Sequence, residues 1–331
     1  MKACLQVSYR DDSVESLLSS HYDDILGVFE FSEAPPQNHS DPRRVYIPLP
    51  HLGPVQSELW RVASPVVSGQ HGIINFNSCA DLTLAHLRIE LSTDSRIDIA
   101  TREAYQQILA FLAQHKHPWP LKIWHYLPDI TNGKNDDEQY RLFCAGRAYA
   151  STDNPIIMTA IPAATAVGSG SAQTHLSIYF LAGPESGQMV ENPRQIPAPQ
   201  YPRQYGIRSP LFSRGTLIAS GQTHQFLISG TASILGHESM HDEDVRAQTR
   251  EALRNLTALI SQGRRLAPVN HSKRQKFVRA GGVLRVYVKQ PKDIDLIKSE
   301  LSKHPLGKLP TMFLRGDICR EELLLEIDGI F

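Results

Sequence analysis

The chain has 331 residues, 41% of them hydrophobic, which suffices for one large core or two ordinary ones. Lysine plus arginine equals aspartate plus glutamate at 34 each, so no net field draws the chain to nucleic acid or a membrane surface. The four cysteines (Cys4, Cys79, Cys144 and Cys319) are far apart and lack metal-ligand spacing, no apolar stretch reaches transmembrane length, and Asp11, Asp12 and Glu15 stand where a leader would need an apolar run. A soluble, cytoplasmic protein with reduced thiols is expected.

Residues 1 to about 60 are punctuated by Pro35, Pro36, Pro42, Pro48, Pro50 and Pro54 and read as a strand-and-loop lead-in, with short strands at Ile25 to Phe31 and Val45 to Ile47. Strands follow at Gly72 to Phe76 and Leu82 to Leu91. A helix from Thr101 carries Tyr105, Ile108, Leu109 and Leu112 on one stripe and ends before Pro118. The alternating strand Leu121 to Leu127 precedes a helix from Asp137 to about Tyr149, then strands at Ile156 to Ala166 and Leu176 to Leu181. A linker from Pro184 to about Pro202 introduces the second half. There Phe226 to Gly230 is a strand, and Asp242 is the expected N-cap of a helix through Val245, Ala252, Leu256 and Ile260 that stops at Gly263. Gly282 to Val288 is a strand, Asp293 to Ser302 a short helix, and Leu309 to Leu314 and Leu323 to Ile330 are the closing strands.

Both halves spell strand, long helix, strand, short helix, strand, strand. The expected fold is therefore α+β, with two similar halves, each a mixed sheet with helices packed on one face. The domains are placed at 1–190 and 191–331.

The last strand carries the sharpest chemical signal. Its alternation sets Leu323, Leu325 and Ile327 on one face and Leu324, Glu326, Asp328 and Ile330 on the other. Glu326 is then either an edge residue facing water or an acid whose pKa is raised by burial. A competing motif is His237-Glu238-Ser239-Met240-His241, which matches the zinc-protease spacing. That chemistry needs both histidines on one helix. Here the helix begins where the motif ends, so a loop reading is favoured, with Glu251 and His271 as conceivable third ligands.

Several long motifs resemble the chorismatases. They are Tyr201-Pro-Arg-Gln-Tyr-Gly-Ile-Arg-Ser-Pro-Leu-Phe-Ser-Arg-Gly-Thr, Ser229-Gly-Thr-Ala-Ser-Ile-Leu-Gly-His-Glu-Ser, Asp317-Ile-Cys-Arg-Glu-Glu-Leu-Leu-Leu-Glu-Ile, Trp124-His-Tyr-Leu-Pro-Asp-Ile and Tyr140-Arg-Leu-Phe-Cys-Ala-Gly-Arg. The second half, in Phe226-Leu-Ile-Ser-Gly, the Asp244-to-Leu256 helix and Leu325-Glu-Ile-Asp-Gly, also resembles the YjgF/reactive-intermediate deaminase family. That family's carboxylate-binding arginine has no counterpart at Thr311-Met312-Phe313. The resemblance implies a YjgF-like C-terminal domain, an N-terminal YjgF-related partner and cofactor-free cleavage of pyruvate from the small molecule chorismate. The products implied are 3-hydroxybenzoate, 4-hydroxybenzoate, or, in hydrolysing members, a cyclohexadiene diol. It also implies a monomer or small homo-oligomer, because YjgF-like proteins often place their sites between subunits.

Glu326 occupies the position of that family's catalytic glutamate. Cleaving an enol ether begins with a proton delivered to carbon, and a carboxyl group between apolar neighbours can hold that proton near neutral pH. A dianionic substrate calls for arginines, and Arg147, Arg208 and Arg214 are the candidates, with Tyr201 and Tyr205 beside them. Cys319 stands where hydroxybenzoate-forming members are similar to this chain and is the second expected catalytic residue, a thiol to shape the pocket or assist ring deprotonation and so tip the outcome to hydroxybenzoate, whereas Ala232 resembles hydrolysing members. A non-catalytic small-molecule binding protein is the alternative from another class, favoured by a solvent-facing Glu326.

Overall fold

The computed structural model describes residues 5–20, 23–35, 40–91, 96–152, 154, 159–170, 173–220, 223–267 and 282–331. Cys4, Ile156 and His271 lie outside the described residues. The first unit is β1 (Gln6–Arg10), α1 (Val14–Ser19), β2 (Ile25–Phe31), β3 (Arg44–Ile47) and β4 (Ser57–Arg61). The second is β5 (Val67–His71), β6 (Ile74–Ser78), β7 (Thr83–Glu90), α2 (Ile97–Gln114), β8 (Trp119–Leu127), α3 (Gln139–Ser151), β9 (Ala163–Gly168) and β10 (His175–Gly183). The third opens with β11 (Gln188–Val190), β12 (Gly215–Ser220), β13 (Thr223–Thr231) and a small hairpin, β14 (Ile234–Leu235) and β15 (Glu238–Ser239). It closes with α4 (Val245–Leu266), β16 (Val283–Val288), α5 (Ile294–Ser302), β17 (Thr311–Arg315) and β18 (Leu325–Ile330).

The sheets run β1-β4-β2-β3, β5-β6-β7-β10-β8-β9 and β11-β12-β13-β18-β16-β17. One motif therefore occurs three times. A helix joins its first strand to its second, the last strand inserts between those two, and the second and third strands pair in parallel. The expected α+β class and the repeat of the two halves hold. The opening 60 residues, expected as a lead-in without a motif, are instead a shorter third copy. Their pattern escapes a sequence reading because the strands are short and prolines separate them.

Each sheet buries one face under its own helix. Leu87, Ile123, Ile178 and Phe180 meet Tyr105, Ile108 and Leu112 of α2, and Leu284, Val286, Leu325 and Ile327 meet Leu256 and Leu259 of α4. Val28 and Leu59 of the first sheet meet Val14 and Leu17 of α1. The opposite faces of all three sheets share a central core of Phe29, Trp60, Trp124, Tyr126, Tyr179, Leu227, Tyr287 and Leu314. Full burial of an apolar side chain of this size contributes about 1.5–3 kcal/mol, so this shared core holds the three units together. It also encloses polar links. Arg285 donates to both carboxylate oxygens of Glu58 at 2.7 Å and also reaches the hydroxyls of Tyr126 and Tyr179.

Three local expectations change. The cap of α4 is Asp244, whose side chain accepts from the Ala247 N–H at 2.9 Å, not Asp242. Gly263 does not end that helix; it lets α4 approach Phe226, where a β-carbon would fall 2.9 Å from the ring, and the helix runs on to Leu266. The proline-rich stretch after Pro184 includes β11, already a strand of the third sheet.

Candidate active site

β18 lies between β13 and β16, so Glu326 is on a central strand and not at an edge. Leu325 and Ile327 pack towards α4, which sends Glu326 and Asp328 to the other face, between the second and third sheets. Leu323 departs from the expected alternation: it precedes the strand, after the turn at Glu321-Glu322, and joins the central core. Glu326 is only 5% exposed. Burial first, and the neighbouring Asp328 second, push its carboxyl up to about 8, against the opposing pull of Lys122 and Arg214.

The carboxyl borders a cavity of about 180 Å³ between the second and third units. Its walls come from α3, β9, the 201–214 loop, β13 and the 319–326 segment. The two sides are fastened through side chains. Ala164 N–H donates to Ser229 Oγ at 2.8 Å, Gly230 N–H to Thr165 Oγ1 at 3.1 Å and Ala163 N–H to Thr216 Oγ1 at 2.9 Å. The strand β13 bulges between Ile228 and Thr231, and that irregularity carries Gly230 against the Glu326 carboxyl.

Two buried arginines enter this cavity. Arg147, on α3, is 3% exposed, and its Nε and Nη2 have no hydrogen-bond partner. Its guanidinium lies 5.2 Å from the centre of the Tyr105 ring. Arg214 leads into β12; its Nη2 donates to the Tyr201 hydroxyl at 2.7 Å and to the Ile196 carbonyl at 2.9 Å, while Nε is unpartnered. Unpaired buried donors are costly, and an anionic ligand would satisfy these.

Tyr201, Tyr205, Ala232 and Cys319 also line the cavity. The Tyr205 hydroxyl meets His237 Nδ1 at 3.2 Å. Burial pushes the Cys319 thiol far above its ordinary pKa, with the Glu326 charge acting in the same direction. Arg208 is not brought to the site; it is exposed and stacks over Tyr149, 5.2 Å from the ring centre. The zinc spacing has no helical basis, because the stretch from His237 to His241 crosses the β14–β15 hairpin and His241 has φ +66°. His237 turns to Tyr205, and His241 lies 3.7 Å from Glu251 on α4. Among the described residues no three histidine, cysteine or carboxylate side chains gather as a metal set.

The model of the FkbO/Hyg5-like chorismatase N-terminal domain matches residues 58–182. A 3-hydroxybenzoate synthase of Streptomyces hygroscopicus is 31% identical over 316 residues, which is 92% of this chain and 91% of that protein. The chain belongs to the chorismatase family. A chorismatase of Streptomyces rapamycinicus is 29% identical over 288 residues, covering 83% of this chain and 81% of its own. A chorismatase crystal structure superposes with a TM-score of 0.86 at 27% identity, over 100% of this chain and 99% of that one.

In this chorismatase-family chain, sequence reasoning missed four residues that shape the site. Arg320 lines the cavity, lies 4.0 Å from the Tyr205 ring centre and donates to the His237 carbonyl at 2.9 Å. Gly230 carries the acid on its backbone. Lys122 and Asp328 form an ion pair behind it, 3.3 Å apart. A lysine alternating with Trp124 and Tyr126 on an otherwise apolar strand was the available signal for Lys122, and the spacing of two residues from Glu326 was the signal for Asp328.

Proposed function

We propose that the protein removes pyruvate from chorismate by acid catalysis at Glu326. The observation that carries this reading is a fully enclosed carboxyl, held near pKa 8, facing a cavity into which two buried arginines bring unpaired donors. Glu326 protonates the methylene carbon of the enolpyruvyl group; the ring C–O bond of the resulting oxocarbenium-like species breaks with its pair going to the pyruvate carbonyl oxygen, and the ring loses one proton, which restores the Glu326 acid, as it becomes aromatic. Arg147 and Arg214 take the two substrate carboxylates, and the apolar and tyrosine walls keep the ring in a water-poor space. Pyruvate plus a hydroxybenzoate together contain the atoms of chorismate, so rearomatisation needs no oxidant and no cofactor.

Hydroxybenzoate is the favoured product, in keeping with the full-length likeness to the Streptomyces hygroscopicus 3-hydroxybenzoate synthase. The diol is the second reading, in which a water attacks the cation; it is favoured by Ala232, whose methyl lies in the cavity wall. The experiment is incubation of the purified protein with chorismate, with pyruvate release followed by a coupled assay and the aromatic or diol product identified by mass spectrometry. Pyruvate with a stoichiometric hydroxybenzoate is expected. No pyruvate above the uncatalysed rate would overturn the reading.

A further inference from the structure

Glu326 faces the cavity, and beside it, on the same face of β18, lies a buried polar cluster centred on Asp328. Residues 326 and 328 lie on the same face of β18, adjacent in the pleat. Four donors converge on a single oxygen, Oδ2 of Asp328: Trp124 Nε1 at 2.8 Å, Thr165 Oγ1 at 2.9 Å, Lys122 Nζ at 3.3 Å and the Tyr287 hydroxyl at 3.3 Å. Lys122 is itself completely buried, donates to the Ile228 carbonyl at 2.5 Å and sits 4.3 Å from the Trp124 ring centre. Of this cluster only Thr165 lines the cavity; Lys122, Trp124, Tyr287 and Asp328 do not, so the anion itself stands outside the cavity wall.

We propose that Asp328, fixed by Lys122, Trp124, Thr165 and Tyr287, is a positioning residue for the acid: its anchored negative charge keeps Glu326 in the protonated form the reaction consumes. An oxygen that accepts from four donors acts as an anion, and a like charge one pleat away opposes a second ionisation. Among the causes that raise Glu326, the Asp328 charge is second only to burial, in agreement with that geometry.

The remaining groups around Glu326 do not supply the same effect. From β16, Tyr287 stands opposite it, with Arg285 opposite Asp328 and neutralised by Glu58. From β13 the neighbour is Gly230, from β9 Thr165, and from α3 Tyr140, Cys144 and Arg147. Arg214 and Lys122 are cationic and pull the other way, and Cys319 is a thiol pushed up by burial. Glu138, Glu321 and Glu322 also line the cavity, but the charges that act on Glu326 are those of Asp328, Lys122 and Arg214, so Asp328 is the anion that favours the acid form. The same Thr165 hydroxyl that donates to Asp328 accepts the Gly230 N–H, so the charge and the backbone under Glu326 are fastened together.

The inference rests on Glu326 as the acid, but its test does not need turnover. The carboxyl stretching band that disappears in Glu326→Gln identifies Glu326 by infrared difference spectroscopy, and its titration can be followed in the resting protein. In Asp328→Asn the titration should move down by about one to two pH units, since a nearby charge at intermediate dielectric acts on that scale. The alkaline limb of kcat/KM should move with it, provided chorismate is the substrate. A folded Asp328→Asn protein whose Glu326 band titrates at the same pH as the parent's would overturn the proposal. Should the variant not fold, the parent protein decides. Its Glu326 band must be that of a protonated acid between about pH 5 and 7, and a carboxylate band there overturns the proposal as well. A shifted band without any chorismate cleavage would leave the positioning role standing and remove the substrate.

Discussion

A β-carbon placed on Gly230 would lie 1.8 Å from Oε1 of Glu326, so the acid rests directly on the backbone of β13. The bulge between Ile228 and Thr231 creates this contact, and no side chain larger than hydrogen fits beneath the carboxyl. Gly230→Ala is therefore expected to push the carboxyl off its position more than it disturbs the sheet. A displacement on the ångström scale typically costs about 100-fold in rate. The expected outcome is a loss of that order in kcat/KM with the melting temperature within a few degrees of the parent, read by pyruvate release and circular dichroism. A fall in melting temperature with the rate of the surviving protein unchanged would make the glycine structural only.

The same acid gives a pH signature with a defined sign. With Glu326 as the proposed proton donor, activity is expected below about pH 8 and should fall as pH rises through that value. Glu326→Gln keeps the shape and removes the proton, and turnover should drop by about 10²–10⁴-fold. Stability responds separately. Between the ordinary glutamate value of 4.5 and about 8, the unfolded chain has released this proton while the folded protein retains it. Folding stability from this group is then complete below pH 4.5 and is lost, at ~1.4 kcal/mol per pH unit, up to about pH 8. Lys122, pushed down to about 8 by burial, shifts its balance only above that window. Glu326→Gln should therefore gain stability over the parent steadily from pH 5 to pH 8 in denaturant titrations. A constant difference across that range would mean that the folded and unfolded values are equal.

Much of this arrangement is visible in the sequence, for reasons that differ by residue. Glu326 stands out because a carboxylate between Leu325 and Ile327 breaks a core strand, and the alternation correctly turns it away from α4. The repeat of the two halves shows because long amphipathic helices and β-rich runs carry strong periodicity. The first unit does not show, since its strands are short and its burial depends on a face shared with two other sheets. Arg208 and Arg214 are six residues apart in a loop without periodicity, and only the fold separates the exposed one from the buried one. Lys122 and Asp328 are 206 residues apart, and no local rule pairs them.

Arg147 provides a test that separates binding from packing. It is buried with two unpaired nitrogens, an arrangement that costs stability in the empty protein. Arg147→Met replaces it by an apolar side chain of similar reach. The melting temperature should stay level or rise, while KM for chorismate increases by about 10- to 100-fold through loss of a charge-assisted contact. Equal losses in stability and affinity would assign Arg147 to the scaffold instead.

Cys319 is the remaining residue with a claim on the outcome of the reaction. It reaches the cavity from the segment that follows Gly168 and Asp317, where the two backbones exchange hydrogen bonds at 2.8 and 3.1 Å. Cys144 lines the same cavity from α3, and burial pushes its thiol up to about 12. Both sulfurs are therefore neutral thiols near pH 7, which makes Cys319 a poor base for removing a ring proton. What it retains is bulk and a weak donor, properties that act on the position of the ring and on the access of water. Cys319→Ala should open space beside Glu326 and move product from hydroxybenzoate towards the diol, whereas Cys319→Ser, close in size, should hold the ratio nearer the parent. Chromatography of the products at full conversion reads both. An unchanged ratio in Cys319→Ala would remove Cys319 from product selection and leave Ala232, which lines the same cavity, as the residue to vary next.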